Sequence, residues 1–322
     1  MRNARDETRL AGDGSMNAVA VVLEAPERLS LRSLELSSLA ASDVRVEIEW
    51  SGISTGTEKL LWTGRMPDFP GMGYPLVPGY ESVGRIVDAG ADAGDRIGEW
   101  VFVPGANCYR DARGLFGGAA STVILPAARA VRIAESLGRD GILMALAATA
   151  HHAIAGGAPD LIVGHGILGR LLARLTIARG APPPTVWETN AARHDGVGYS
   201  VIDPASDRCR DYSVICDASG ATDVLDTLVQ HLAKQGELVL AGFYDRLSFA
   251  FPPAFMREAR IRIAAEFTPS DLASTIALVE SGALNLSGLI SHNRAASDAA
   301  SAYATAFADP DCLKMVLDWR CL

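Results

Sequence analysis

A chain of 322 residues, 49% apolar, 21% charged and carrying 31 glycines, has the composition of a soluble globular protein with room for two domains. Its net charge of −9 argues against a nucleic-acid partner, because binding a phosphate backbone needs a basic surface. The five cysteines (Cys108, Cys209, Cys216, Cys312, Cys321) are odd in number and never spaced as CxxC, which fits free thiols in a reducing cytoplasm rather than a disulfide framework or a structural zinc cluster.

Residues 1–15, MRNARDETRLAGDGS, are polar, lack an apolar core and read as a disordered extension rather than a secretory signal. From Met16 to about Ala130 the chain is a series of short β-like runs, NAVAVVLE, LRSLEL, DVRVEIEW, SVGRIVDAG, EWVFVP and ASTVILP, each bounded by turn residues. AGADAGDRIGEW reads as a tight connection between two of them. Near Leu143 the pattern changes. GILMALAATAHHAIAGGA is interrupted by His151, His152 and glycines, so a buried helix is expected rather than a membrane span. Peripheral membrane contact remains compatible with the sequence. There follow DLIVG (strand), ILGRLLARLTIARG (helix), APPPTVWET (loop, then strand), YSVICDASG (strand), ATDVLDTLVQHLAKQ (helix) and GELVLAGFY (strand). Strands alternating with helices at this spacing imply a parallel sheet covered on both faces. RIRIAAEF, the helix DLASTIALVESG and the helix-to-strand run DAASAYATAFADPDCLKMVLDW close the chain. The expected fold class is α/β with an attached β-rich domain.

GHGILG, Gly164–Gly169, lies directly after a strand and opens an amphipathic helix, and Glu188 ends the next strand 19 positions beyond Gly169. That is close to the roughly 20-residue spacing of a dinucleotide fingerprint. Gly164 permits the tight turn, Gly166 lets pyrophosphate approach the backbone, and Gly169 lets the helix pack on the sheet. The helix start, with Ile167 and Leu168, offers free N–H groups to phosphate. Glu188 would accept the ribose hydroxyls and repel a 2′-phosphate, which favours NAD over NADP; Arg193 weakens that preference. His165, inside the loop, belongs to the same cofactor-binding segment and reads as a solvent-facing filler.

Taken together, SGISTGTE (51–58), VPGYESVG (77–84), GHGILG, the DASG turn (217–220) and VESGALNLSGLISHN followed by CLKMVLDW resemble the medium-chain dehydrogenase/reductase superfamily. The resemblance implies a GroES-like β-rich catalytic domain (16–142 and 286–322) and a Rossmann doubly wound parallel sheet (143–285). It also implies a homodimer joined at the sheet edge near GELVLAGFY and FAFPPAFMREARIRIAAEF. The block 54–84, STGTEKLLWTGRMPDFPGMGYPLVPGYESVG, further resembles the bacteriochlorophyllide dehydrogenase branch, which implies a chlorin or bacteriochlorin substrate whose hydroxyethyl side chain is oxidised to acetyl.

Zinc-dependent members of that superfamily place ligands at positions that match Ser54, Tyr80 and Ala145 here, and hydroxyl and methyl groups are not usual zinc ligands. The lobe that carries a structural zinc in many relatives, PGANCYRDARGLFGG, has Cys108 alone. Both zinc sites are therefore expected to be absent, with Glu81 and His151 the remaining donors for an improvised one. Without a Lewis acid the hydroxyl proton needs another route. The expected route is a relay around Tyr80 and Ser54, with Thr57 nearby and Glu81 or His151 as acceptor. His151 also reads as a satisfied core histidine, and Glu81 as an acceptor of loop N–H groups. Trp62, Met66, Phe69, Met72 and Tyr74 form either an apolar wall for a flat macrocycle or a loop folded onto its own domain. Two other readings remain open: a zinc-free quinone or enoyl reductase using NAD(P)H, and a non-catalytic nucleotide-binding protein.

Overall fold

The computed structural model describes residues 16–322; the extension expected at 1–15 lies outside the described residues. β1 (Asn17–Ala25) and β2 (Arg28–Glu35) form an antiparallel hairpin, and β3 (Asp43–Ile53) runs into the short helix α1 (Thr57–Thr63). β4 (Leu76–Val77), β5 (Ser82–Ala89), β6 (Trp100–Val103), β7 (Arg113–Gly114), β8 (Thr122–Pro126) and β9 (Val131–Arg132) complete the N-terminal set. Ala20 to Leu23 are fully buried, since β1 is covered on both faces and needs no polar alternation.

The second half begins with α2 (Met144–Ala153), an alanine-rich helix whose Ala145, Ala147, Ala148, Ala150 and Ala153 are all buried. Methyl side chains let it sit deep between neighbours, which is how a helix apolar nearly all round must be placed. β10 (Leu161–Val163), α3 (Ile167–Ala178), β11 (Thr185–Trp187), β12 (Ser200–Ile202), β13 (Tyr212–Asp217), α4 (Leu225–His231), β14 (Leu232–Leu240), α5 (Phe251–Arg257), β15 (Arg260–Ile263) and α6 (Pro269–Glu280) follow. The six strands form a parallel sheet in the order β12-β11-β10-β13-β14-β15. Strand order reverses at β10, so the crevice beyond its carboxyl end is where ligands bind in open sheets of this kind.

β16 (His292–Ala295), α7 (Ala299–Ala308) and β17 (Met315–Asp318) bring the chain back to the first sheet. β17 pairs antiparallel with β3, Met315 opposite Ile53, and Trp319 Nε1 donates to Ser51 Oγ at 2.8 Å. This register delivers Lys314 to the end of β3, which decides the site described below. One apolar core fills the β-rich half and includes Ala302 and Tyr303 of α7. A second runs from Val83 and Phe102 through α2 to Leu172, Val239 and Val316, joining the halves by continuous packing.

Two elements depart from the sequence pattern. The helix expected to run to Gln235 stops at His231, where Leu232 enters the sheet opposite Tyr212 and Gln235 turns the chain at φ 62°. β12 carries too few apolar residues to announce itself and forms because β11 offers it an edge. Among the described residues, no helix is long and apolar enough to cross a membrane.

Candidate active site

The crest of the parallel sheet is built by short-range geometry. Gly164 sits at φ 91°, and a side chain there would meet the Ser219 backbone at 3.0 Å. A Cβ on Gly169 would lie 1.9 Å from Gly164 O, so α3 can approach the turn only with glycine at that position. A Cβ on Gly166 would meet nothing within 4 Å, and no side chain caps the start of α3. The free N–H groups and the open space above Gly166 fit a pyrophosphate. Glu188 Oε2 accepts from His165 N at 3.0 Å and Oε1 from Asn190 N at 2.8 Å, which holds the carboxylate at the tip of β11. Ile167 and Leu168 pack half-buried on the second core.

His165 is not the solvent-facing filler expected: it is fully buried. Its ring bonds the Arg193 carbonyl through Nδ1 and Tyr199 Oη at 2.8 Å through Nε2, clamping the loop after β11 onto the glycine turn. Burial, helped by the Arg170 charge, lowers its pKa. Arg170 in turn bonds His165 O at 3.2 Å and Asp195 at 3.0 Å. Arg193 donates to Pro310 O at 2.5 Å, so its guanidinium is occupied by the returning C-terminal segment.

The second constellation is gathered from distant parts of the chain. Ser54 Oγ and Tyr80 Oη lie 2.7 Å apart, Ser54 buried and Tyr80 half-exposed. Burial and the neighbouring Glu81 charge push the Tyr80 phenol above its ordinary range, with Ser54 and Thr57 pulling it back in smaller measure. Tyr80 is thus held still more firmly as a neutral phenol at physiological pH. Glu81 is fully buried and forms an ion pair with Lys314, itself 1% exposed, whose Nζ also donates to Ile53 O at 3.1 Å. Glu58, one helical turn beyond Ser54, is likewise fully buried; it accepts from Ser54 N at 3.1 Å and lies 2.5 Å from Tyr303 Oη.

Residues 40–135 match the family described as the alcohol dehydrogenase GroES-like domain. The whole chain matches more closely. It is 60% identical over 315 residues to 2-desacetyl-2-hydroxyethyl bacteriochlorophyllide A dehydrogenase of Cereibacter sphaeroides, an alignment covering 95% of this chain and 99% of that one. The chain belongs to the bacteriochlorophyllide dehydrogenase family. Its fold is shared by a short chain alcohol dehydrogenase of Escherichia coli CFT073 complexed with NADH (TM-score 0.82, 21% identity, covering 95% of this chain and 100% of that one). It is shared also by a dehydrogenase of Sinorhizobium meliloti 1021 bound to NADP (TM-score 0.80, 20% identity, covering 94% of this chain and 100% of that one).

The Nδ1 atom of His151 faces away from the hydroxyl pair, toward α6. His151 and His152 bond the two oxygens of Asp271, at 3.3 and 2.9 Å, fastening α2 to the start of α6. Asp271 is thus the partner that the helix pairing brings to His151 Nδ1, and no hydrogen bond joins the ring to the hydroxyl pair. Nor does Glu81 hydrogen-bond the hydroxyl pair, since its charge is engaged by Lys314. Among the described residues, no three His, Cys, Asp or Glu side chains converge as a metal site.

The apolar loop divides in a similar way. Trp62, Met66, Met72 and Tyr74 pack half-buried around Leu23, Leu61 and Leu76, and Trp62 also leans on Phe307 with ring centroids 6.5 Å apart. Four of the five wall candidates thus serve the loop's own small core, and Phe69, 38% exposed, does not. Sequence reasoning passed over Phe116. Its half-exposed ring stands edge-on to Tyr80 at 5.4 Å, held by a loop whose Leu115 and Gly117 N–H groups both donate to Val77 O. An aromatic residue directly before the Gly117–Gly118 pair, in a lobe whose one cysteine is Cys108, was the available signal.

Proposed function

We propose that the enzyme oxidises the 3-(1-hydroxyethyl) group of a chlorophyllide or bacteriochlorophyllide to 3-acetyl with NAD, and that it does so through the Ser54–Tyr80 hydroxyl pair without zinc. The observation carrying this reading is the 2.7 Å pair itself, standing where zinc-dependent relatives have metal ligands. Two hydroxyls are a poor donor set for zinc, and no step is assigned to one. The dinucleotide, held at Gly164–Gly169 and Glu188, would supply the hydride acceptor. The carbinol C–H bond breaks with its electron pair leaving as hydride, the C=O bond forms, and the hydroxyl proton departs. Tyr80 accepts that proton as it hands its own to Ser54, Ser54 releases its proton in turn, and half-exposed Thr57 leads it to solvent. The π system next to the carbinol spreads charge developing there, which lowers the demand on the protein.

Glu188 beside the ribose position and the engagement of Arg193 with Pro310 support NAD over NADP. Phe69 and Phe116 supply exposed aromatic surface for the macrocycle. β15 is the edge strand of the parallel sheet, and Phe251, Phe255, Met256 and Ile263 beside it are 64–76% exposed, which supports a homodimer closed at that edge. A cytoplasmic enzyme touching membrane only peripherally suits a large apolar substrate.

The test follows the absorbance change on conversion of hydroxyethyl-bacteriochlorophyllide with NAD. Tyr80→Phe and Ser54→Ala should each lower kcat by about 10²–10⁴, with NADH affinity retained and dialysis against a chelator without effect. Wild-type turnover in both variants, or turnover that depends on stoichiometric zinc, would sink the relay.

A further inference from the structure

Behind the hydroxyl pair lie two fully buried carboxyl groups and a single buried cation. Glu81 has that cation, Lys314, against Oε2. Glu58 has only neutral donors, the Ser54 N–H and the Tyr303 hydroxyl. Lys59, the next residue along α1, turns away to Phe307 O at 3.0 Å and does not compensate it. The charged and titratable groups around Glu58 are therefore Tyr303 from α7, Tyr80 and Glu81 from the entrance to β5, and Lys314 from the segment before β17. Two carboxylates with one ammonium would leave a net negative charge in an interior that solvates it poorly. Like charges sharing such a site keep a proton between them, and the member with the weaker partners carries it.

We propose that Glu58 is a neutral carboxylic acid in the working enzyme, a positioning group whose proton leaves Glu81 and Lys314 as a balanced ion pair and spares the Ser54–Tyr80 hydroxyls an extra negative charge behind them. This rests on the hydroxyl-pair reading given above. Burial first, then the Glu81 charge, lift the Glu58 carboxyl to about 7 against the opposing hydrogen bonds of Tyr303 and Ser54. The neutral form can turn its own hydroxyl to Tyr303 Oη at the observed 2.5 Å. Losing the proton as pH rises through neutrality places a new charge beside a phenol already made reluctant to ionise, and disfavours the alkoxide character that hydride loss requires. The folded value lies above the ordinary glutamate value of 4.5, so the linked stability is fully present below about 4.5 and lost as pH rises through about 7.

The experiment combines infrared titration of the full-length enzyme with pH profiles of Glu58→Gln, which keeps a neutral side chain of the same shape. A protonated-carboxyl carbonyl band should be present at about pH 6, fade with a midpoint near neutrality and be missing in Glu58→Gln. The ratio of kcat at about pH 8 to kcat at about pH 6 should rise roughly tenfold in Glu58→Gln over wild type, the change in protonated fraction of a group titrating near 7. Should Glu58→Gln fail to fold, Tyr303→Phe removes a donor that favours the charged form and should move the band's midpoint upward. No band in wild type, a band that survives Glu58→Gln, an unchanged kcat ratio, or an unmoved midpoint in Tyr303→Phe overturns the proposal. The band is read without substrate, so it fails separately from the relay, which is judged by Ser54→Ala and Tyr80→Phe.

Discussion

The glycine crest and the hydroxyl pair, the two halves of the proposed site, are encoded in opposite ways. The crest is one hexapeptide plus an acid at the tip of the neighbouring strand, and its tightest constraint is local, Gly169 answering to Gly164 O. The hydroxyl site is drawn from four separate stretches: Glu58 meets Tyr303 across 245 positions, and Lys314 meets Ile53 across 261. Local geometry forces a local motif. A buried charge forces nothing until the chain has returned to supply its partner. The crest should therefore fail by losing its ligand, and the hydroxyl site by losing its fold or its proton chemistry.

The largest effect expected from this contrast is at Lys314. Replacing it by methionine strands Glu81 as an uncompensated buried carboxylate and should cost about 3–5 kcal/mol in urea unfolding. Adding Glu81→Gln should restore much of that loss, while either variant that folds should keep its NADH affinity. A Lys314→Met protein as stable as wild type would show that the ion pair is not what holds this region.

Gly169→Ala reverses the pattern. The new methyl collides with Gly164 O and forces α3 off the turn at about 1–3 kcal/mol. NADH titrated by fluorescence should bind about tenfold more weakly or worse, with the hydroxyl pair intact. Retained affinity would mean that the helix start is not the phosphate cradle.

The smallest effect belongs to Asp271, the partner of the histidine that the sequence offered as a proton acceptor. Asp271 is held at about 2: burial would raise it, but hydrogen bonds from Thr268, then His152 and His151, prevail. A depressed carboxyl contributes stability that is present above its unfolded value of about 3.8 and lost as pH falls through about 2. Asp271→Asn should cost roughly 1 kcal/mol at neutral pH, flatten the acid limb of the unfolding curve between about pH 4 and 2, and leave kcat within about twofold. A larger loss of kcat than of stability would return His151 to the chemistry.

Much of the architecture was legible because hydrophobic period and turn residues are themselves local signals. The short apolar runs became strands of the β-rich half, and the alternation after Leu143 became the parallel sheet. Ser54 and Tyr80 could be singled out because they stand where relatives carry ligands, and the fold brings their hydroxyls together. His165 was misjudged because a polar residue in a glycine turn looks exposed until Tyr199 and the Arg193 carbonyl close over it. Most of the aromatic loop was ambiguous for a related reason: residues that would suit a macrocycle suit Leu23, Leu61 and Leu76 equally well.

By itself the amino-acid order determined the β-rich and α/β halves and the glycine turn, because backbone conformation belongs to each residue where it stands. Only the tertiary structure decided which carboxyl meets a cation, which aspartate meets the two histidines of α2 and which hydroxyls meet each other. Those properties depend on the loss of water and on partners far along the chain, and neither exists before the chain has closed on itself.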